Sequence, residues 1–144
     1  MARTFGLHIW ASEKPFYDGE CESLVIPSVD GKYGIMAGHS DLITAIVPGE
    51  LKFTVPGKSP QIAAVSEGIM KIENNNVLVL VETIERPEEI DANRAAAAAE
   101  AAKEAMMQKL SRREYYTARL TLARAMSRLQ VKNRGNRGSE DTER

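Results

Sequence analysis

Residues 77–106 read VLVLVETIERPEEIDANRAAAAAEAAKEAM, and the fold turns on the change of pattern at Pro87. Ahead of it, Val77–Val81 is a continuous apolar run of strand length. Behind it the periodicity passes from two residues to about 3.6. Pro87, Glu88 and Glu89 set a rigid residue and two acids where a helix dipole favours negative charge, and Asp91 is placed to cap the helix. Nine of the fifteen residues Ala92–Met106 are alanine. That composition gives high helix propensity with almost no bulky side chain to bury, so the helix persists alone and grips a partner weakly.

Toward the N-terminus the pattern is all β. Val77–Val81 lacks polar alternation, which predicts a central strand covered on both faces. The Asn74–Asn76 triplet suits a hairpin, because asparagine tolerates positive φ. Further strands are predicted at Phe5–Ala11, Glu22–Ile26, Tyr33–Met36, Leu42–Val47, Leu51–Val55, Ile62–Val65 and Gly68–Ile72. Pro, Gly, Asn and Asp turns separate them roughly every 8–12 residues, the spacing of a sandwich or barrel.

Toward the C-terminus, Ser111-Arg-Arg-Glu114 is a capping box that opens a second helix. Tyr115, Ala118, Leu122, Ala125 and Leu129 follow at spacings of three and four, a heptad-like seam. Two helices of about 20 residues each make an antiparallel hairpin when folded back, with Met106, Met107, Leu110 and Met126 near the bend, and reach on the order of 60 Å end to end. From Lys132 the sequence KNRGNRGSEDTER is polar and broken by glycine, which predicts a disordered tail. The fold class is therefore β + α: an antiparallel β-sandwich over 1–86, a helical hairpin over 87–131, and a charged tail over 132–144.

The formal net charge of −1 hides a split at the same boundary. Residues 1–86 carry seven Lys/Arg against eleven Asp/Glu, whereas residues 87–144 carry twelve against nine. All six prolines fall at or before Pro87, and residues 90–131 contain neither Gly nor Pro. No stretch approaches the roughly 20 apolar residues of a membrane span, and no cationic segment followed by an apolar run opens the sequence. A protein without a membrane span or an export signal is expected. One cysteine, Cys21, excludes a disulfide framework or a thiolate metal site.

Catalytic patterns are thin. Cys21 has no neighbouring His or Lys in sequence to lower its pKa and reads as structural. His8 and His39 lack the spacing of metal ligands, and Ser12, Ser23 and Ser66 lack a nucleophile elbow. Gly31-x-x-Gly34 and Gly34-x-x-x-Gly38 lack the order and the lysine of a phosphate loop. We expect no catalytic and no metal site. The arginines of the hairpin are more informative: residues 92–131 hold eight Lys/Arg and three Asp/Glu, and Arg124 and Arg128 share a helix face at i and i+4. They read as a solvated face, or as a contact for an acidic protein, nucleic acid or a phosphorylated ligand. An acidic β module and little aromatic interleaving argue against nucleic acid.

Four segments in combination resemble a known family: GKYGIMAGHSDLITAIVPG (31–49), EGIMKIENNNVLVLVET (67–83), EEIDANRA (88–95) and TLARAMSRLQV (121–131). They are similar to the epsilon subunits of F-type ATP synthases, and the likeness covers residues 4 to about 131. The resemblance implies a non-catalytic rotor subunit, peripheral on the cytoplasmic face of the plasma membrane, that couples ion translocation to ATP synthesis. Its implied partners are the gamma subunit, the c-ring and the catalytic beta and alpha subunits, with no nucleic acid and no membrane insertion. It assigns Asp30, Gly31 and Lys32 to the c-ring contact and His39 with Thr44 to the gamma-facing side. Lys32 stands where some members carry an acid.

The same resemblance implies that the hairpin either folds on the sandwich or extends into the catalytic head to restrain ATP hydrolysis. No cofactor is required, but regulatory ATP is implied by Ile90-Asp91-x-x-Arg94-Ala95, with Glu85, Arg124 and Arg128 as further contacts. Ala101 stands where a basic residue is expected, which removes one phosphate contact. A different class of reading also remains: a basic hairpin adaptor for nucleic acid or an acidic protein, with the β module as its platform.

Overall fold

Apolar side chains at alternate positions sort the first 86 residues into two facing sheets. The structure is a computed structural model that describes residues 3–108 and 111–142, with side chains as far as Asn136. The strands are β1 (Phe5–Ala11), β2 (Pro15–Cys21), β3 (Ser23–Ser28), β4 (Gly31–Met36), β5 (Leu42–Ile46), β6 (Gly49–Thr54), β7 (Gln61–Val65), β8 (Gly68–Glu73), β9 (Asn76–Val81) and β10 (Ile84–Glu85). One sheet has the order β2-β1-β9-β8-β5 and the other β10-β7-β6-β3-β4. The β1–β9 pairing is parallel, and the remaining pairings are antiparallel.

Leu7 and Ile9 of β1, Val77 and Val79 of β9, and Leu51 and Phe53 of β6 are among the buried side chains between the layers. The asparagine turn forms as expected. Glu73 pairs with Asn76, so the hairpin loop is the two residues Asn74 and Asn75, with φ of +51° and +62°. Asn75 also ties the turn to its surroundings: its Nδ2 donates to Thr4 O at 3.0 Å and its Oδ1 accepts from Gly38 N at 2.8 Å.

Strand β2 covers Pro15 and Asp18-Gly19, which the sequence reads as turns. It is an edge strand and Pro15 is its first residue, so the missing N–H costs no interior ladder bond. The expectation for Val77–Val81 also needs correction. The strand alternates after all, with Val77, Val79 and Val81 buried and Leu80 exposed. Register places Leu80 beside Trp10 on one side and Ile69 on the other, and all three are exposed. The outer face of this sheet is thus an uncovered apolar stripe.

A 3-10 turn at Pro87–Glu89 leads into α1 (Ala92–Met106), and α2 (Arg112–Thr142) follows the bend. Asp91 caps α1 by accepting from Arg94 N at 3.1 Å, and Ser111 accepts from Glu114 N at 3.2 Å. The helices pack on one another and bury Ala95, Ala99 and Ala102 of α1 and Ala118 and Ala125 of α2. Each buried methyl contributes only about 0.8 kcal/mol. α2 docks on β6, β7 and the 3-10 turn, where Val131 packs with Ile90 and Ala64.

The arms are unequal, 15 and 31 residues, rather than two of similar length. Met126 therefore lies in the body of α2, roughly 20 Å along the axis from its start, and not at the bend. Lys109 and Leu110 of the expected bend lie outside the described residues. The structure also differs at the C-terminal end. α2 continues past Val131 to Thr142, through most of the segment read as a disordered tail. Contacts of Lys132 with the carbonyl of Pro87 and of Arg134 with Glu50 hold the first turn of this extension.

Candidate functional site

The groove between α2 and the sandwich collects the charged residues singled out from sequence. Arg124 and Arg128, one helical turn apart, both face it. Arg124 donates through Nε to Glu67 Oε2 at 3.0 Å and through a second nitrogen to Glu67 Oε1. Arg128 Nε donates to Glu85 Oε1 at 2.6 Å. Two like charges at i and i+4 repel, and here each is offset by its own carboxylate. Hydrogen bonding from Arg124 holds the Glu67 carboxyl below its ordinary value despite partial burial.

Behind the pairs, Ser66 and Thr83 are locked together: Thr83 N donates to Ser66 Oγ at 2.7 Å and Ser66 N to Thr83 O at 3.1 Å. A cavity of about 200 Å³ lies over them, lined also by Ala98, Thr121, Arg124 and Arg128. On α1, Arg94 lies one turn before Ala98 and Ala101 one turn after it. Arg94 and Ala101 are exposed.

The Ile90-Asp91-x-x-Arg94-Ala95 motif acts locally as a helix start. Ile90 is buried against Ala64 and Val131, Asp91 is the cap, and Ala95 is buried in the hairpin. Arg124 and Arg128 line the cavity and Glu85 pairs with Arg128, with the motif beginning five residues after Glu85. The cavity is smaller than the roughly 300 Å³ at which ligand pockets begin. Both guanidiniums that line it are paired to carboxylates, so a phosphate would have to displace Glu67 or Glu85 to reach them.

The residues assigned to rotor contacts fall at two separate places. Asp30 lies in the exposed Val29-Asp30 turn between β3 and β4, and Gly31, with φ of +114°, and Lys32 open β4 directly after it, also exposed. His39 follows the other end of β4, roughly 20 Å away. Its Nδ1 lies 2.8 Å from Ser40 O, a carbonyl that can only accept, so Nδ1 carries the proton and Nε2 accepts from Tyr33 OH at 2.9 Å. Thr44 lies on β5 on the side of buried Ile46, while its neighbours Ile43 and Ala45 point outward. The uncovered stripe, not Thr44, is the exposed feature of that sheet.

Glu67 and Glu50 were not legible as functional residues. Glu67 sits in the Ser-Glu-Gly connection between β7 and β8 and Glu50 is the second residue of β6, and each finds its arginine across a long separation in sequence. Cys21 is fully buried, and desolvation pushes its thiol pKa up, as an inert structural cysteine requires. Among the described residues, no helix is long and apolar enough to cross a membrane.

Two family models match consecutive parts of the chain: the beta-sandwich domain of the ATP synthase delta/epsilon chain over residues 4–87, and its long alpha-helix domain over 88–133. The chain belongs to the ATP synthase delta/epsilon family. Among curated relatives, the ATP synthase epsilon chain of Ruminiclostridium cellulolyticum is 41% identical over 131 residues, spanning 91% of this chain and 97% of that one. That of Caldicellulosiruptor saccharolyticus is 38% identical over 127 residues, spanning 88% and 92%.

The fold of this epsilon-type chain also matches a chain in the Euglena gracilis mitochondrial ATP synthase, OSCP/F1/c-ring in rotational state 1. There the TM-score is 0.77 at 19% identity, over 89% of this chain and 80% of that one. A chain in the central stalk/c-ring structure of the Tetrahymena thermophila mitochondrial ATP synthase matches with TM-score 0.63 at 14% identity, over 90% and 97%. Membership makes the chain an epsilon subunit of an ATP-synthesising complex and sets aside the adaptor reading. The geometry agrees, since Arg124, Arg128 and Arg134 face acids of the chain's own sandwich.

Proposed function

We propose that this epsilon subunit is a non-catalytic part of the rotor, peripheral on the cytoplasmic face, whose sandwich is the platform and whose hairpin is the regulator. In this reading the exposed turn at Asp30, Gly31 and Lys32 meets the c-ring. The apolar stripe through Trp10, Leu80 and Ile69, rather than Thr44, packs on gamma, while His39 orders the β4–β5 loop beside the asparagine turn at the other end of β8 and β9. The hairpin leaves the sandwich to meet acidic segments of the catalytic alpha and beta subunits and restrain hydrolysis. The observation that carries this is the docking interface itself. It consists of one small apolar contact, Val131 against Ile90 and Ala64, a Ser127–Gly49 hydrogen bond and three exchangeable Arg–Glu pairs, so the hairpin can change partners for a few kcal/mol.

ATP, on this account, binds the docked form at Glu85, Ile90, Asp91, Arg94, Ala95, Arg124 and Arg128, with phosphate replacing Glu67 on Arg124. A ligand that binds one state selectively shifts the balance toward it. Hydrolysis by the assembled catalytic complex, measured with the full chain and with a chain ended after Pro87, tests the regulatory role. The truncated chain should give the faster rate, and equal rates would refute restraint by the hairpin while leaving the coupling role intact. Calorimetric titration of ATP into the isolated protein tests the nucleotide site, and no heat at millimolar ATP would remove it.

A further inference from the structure

The turn of α2 beyond Val131 makes contacts that its composition does not lead one to expect. Lys-Asn-Arg-Gly is a polar, glycine-broken sequence with little tendency to hold a helix alone. Yet three of its residues are engaged. Lys132 Nζ donates to Pro87 O at 3.0 Å, at the junction between the two modules. Arg134 pairs with Glu50 at the start of β6. Gly135 lies so close to the Pro87 ring that a Cβ there would stand 2.5 Å from Pro87 Cβ and 3.1 Å from its Cγ. Arg134 and Gly135 lie past residue 133, where the match to the long-helix family model ends.

Glu50 is the unusual member. Its side chain is only 10% exposed, and its Oε1 is buried without a hydrogen-bond partner among the described residues. The other oxygen, Oε2, has Lys32 Nζ at 3.7 Å in addition to Arg134. A carboxylate this buried is poorly compensated by one exposed lysine at that distance, so the arriving guanidinium carries most of the compensation. It is delivered only when α2 lies on the sandwich. Immediately before it, Ser127 Oγ donates to Gly49 O at 2.8 Å and Val131 is fully buried.

We infer that the extension of α2 over Lys132, Arg134 and Gly135 is an intramolecular latch, with Glu50 and Pro87 as its socket, which holds the hairpin docked without any ligand. It acts from the opposite side of Val131 to the Arg124–Glu67 and Arg128–Glu85 pairs, and so adds to them rather than substituting for them. The latch concerns the isolated chain and stands or falls separately from nucleotide binding and from restraint of hydrolysis.

Amide hydrogen exchange on the isolated, nucleotide-free full chain tests it. Arg134→Ala should speed exchange in peptides spanning Thr117–Val131 by about tenfold, the factor expected for loss of one charge-assisted contact to a buried acid, with β1 and β9 unchanged. Gly135→Ala should also speed exchange there, although alanine favours helix over glycine, because its methyl collides with Pro87. Unchanged exchange in Arg134→Ala, or an equal rise in β1 and β9, would overturn the latch. Slower exchange in Gly135→Ala would overturn the Pro87 half of it.

Discussion

Arg124 and Glu67, 57 residues apart in sequence, join through both carboxylate oxygens across the groove between α2 and the sandwich. Each side chain is about one-third exposed, so solvent limits the pair to about 1 kcal/mol or less. Its pH dependence has a definite sign. The folded pKa of Glu67 is depressed below the ordinary 4.5 by Arg124, so its contribution is fully present above 4.5 and is lost as pH falls through the depressed value. α2 amide shifts in the parent and in Glu67→Gln should therefore differ at neutral pH and converge in acid. A difference that persists unchanged to the acid end would remove the pair from the docking balance.

The stripe on the outer sheet face makes a separate prediction. Trp10 is 43% exposed and sits beside Leu80 in register, with Ile69 beyond. A tryptophan at the centre of an interface commonly costs 2 kcal/mol or more when removed. Trp10→Ser should weaken binding to gamma by at least about 30-fold in a pull-down or calorimetric titration, while leaving the thermal midpoint of the isolated chain nearly unchanged. A fall in that midpoint without loss of binding would mean that Trp10 supports the sandwich instead.

How far the fold was legible follows from what each pattern depends on. Pro87, the Asp91 cap, the Ser111 cap and the asparagine turn are local chemistry, and each appears where the residues put it. Strand β2 is not legible in sequence, because its proline and glycine are tolerated only at a sheet edge, which is a fact about neighbours. The run Val77–Val81 does not disclose its exposed face, because an apolar outer face looks the same in sequence whether its own fold or another protein covers it. In the site, Arg124 and Arg128 stood out by spacing, but Glu67 and Glu50 could not. A lone glutamate beside a turn or at a strand start announces nothing until the fold brings an arginine to it.

The hairpin's alanines predict an asymmetry in stability. Ala99 is buried where α1 meets α2, whereas Phe53 is fully buried in the sandwich. Ala99→Leu overpacks a close helix contact at a cost of roughly 1–3 kcal/mol and should raise hydrogen exchange in the hairpin alone. Phe53→Ala should cost roughly 3–5 kcal/mol and lower the unfolding midpoint of the whole sandwich. The parent hairpin should already exchange much faster than the sandwich. Uniform protection across both modules would contradict a weakly docked switch.

The nucleotide reading can be tested by adding a contact rather than removing one. Ala101 lies one helical turn after Ala98, which lines the groove cavity, and it is exposed, so a long side chain there meets no obstacle in the core. In the resemblance it occupies the place of a basic residue that touches phosphate. An added charge-assisted contact is worth roughly 1.5–3 kcal/mol before the cost of ordering the new side chain. Ala101→Arg should therefore tighten ATP binding by about tenfold in calorimetric titration, and Arg128→Ala should weaken it comparably. Arg128→Ala also frees Glu85 and loosens docking, so it cannot separate binding from folding by itself. The gain-of-contact variant can, because it leaves every existing pair in place. If Ala101→Arg leaves the affinity unchanged while the hairpin remains docked, the groove is a structural interface and Asp91 is only a helix cap.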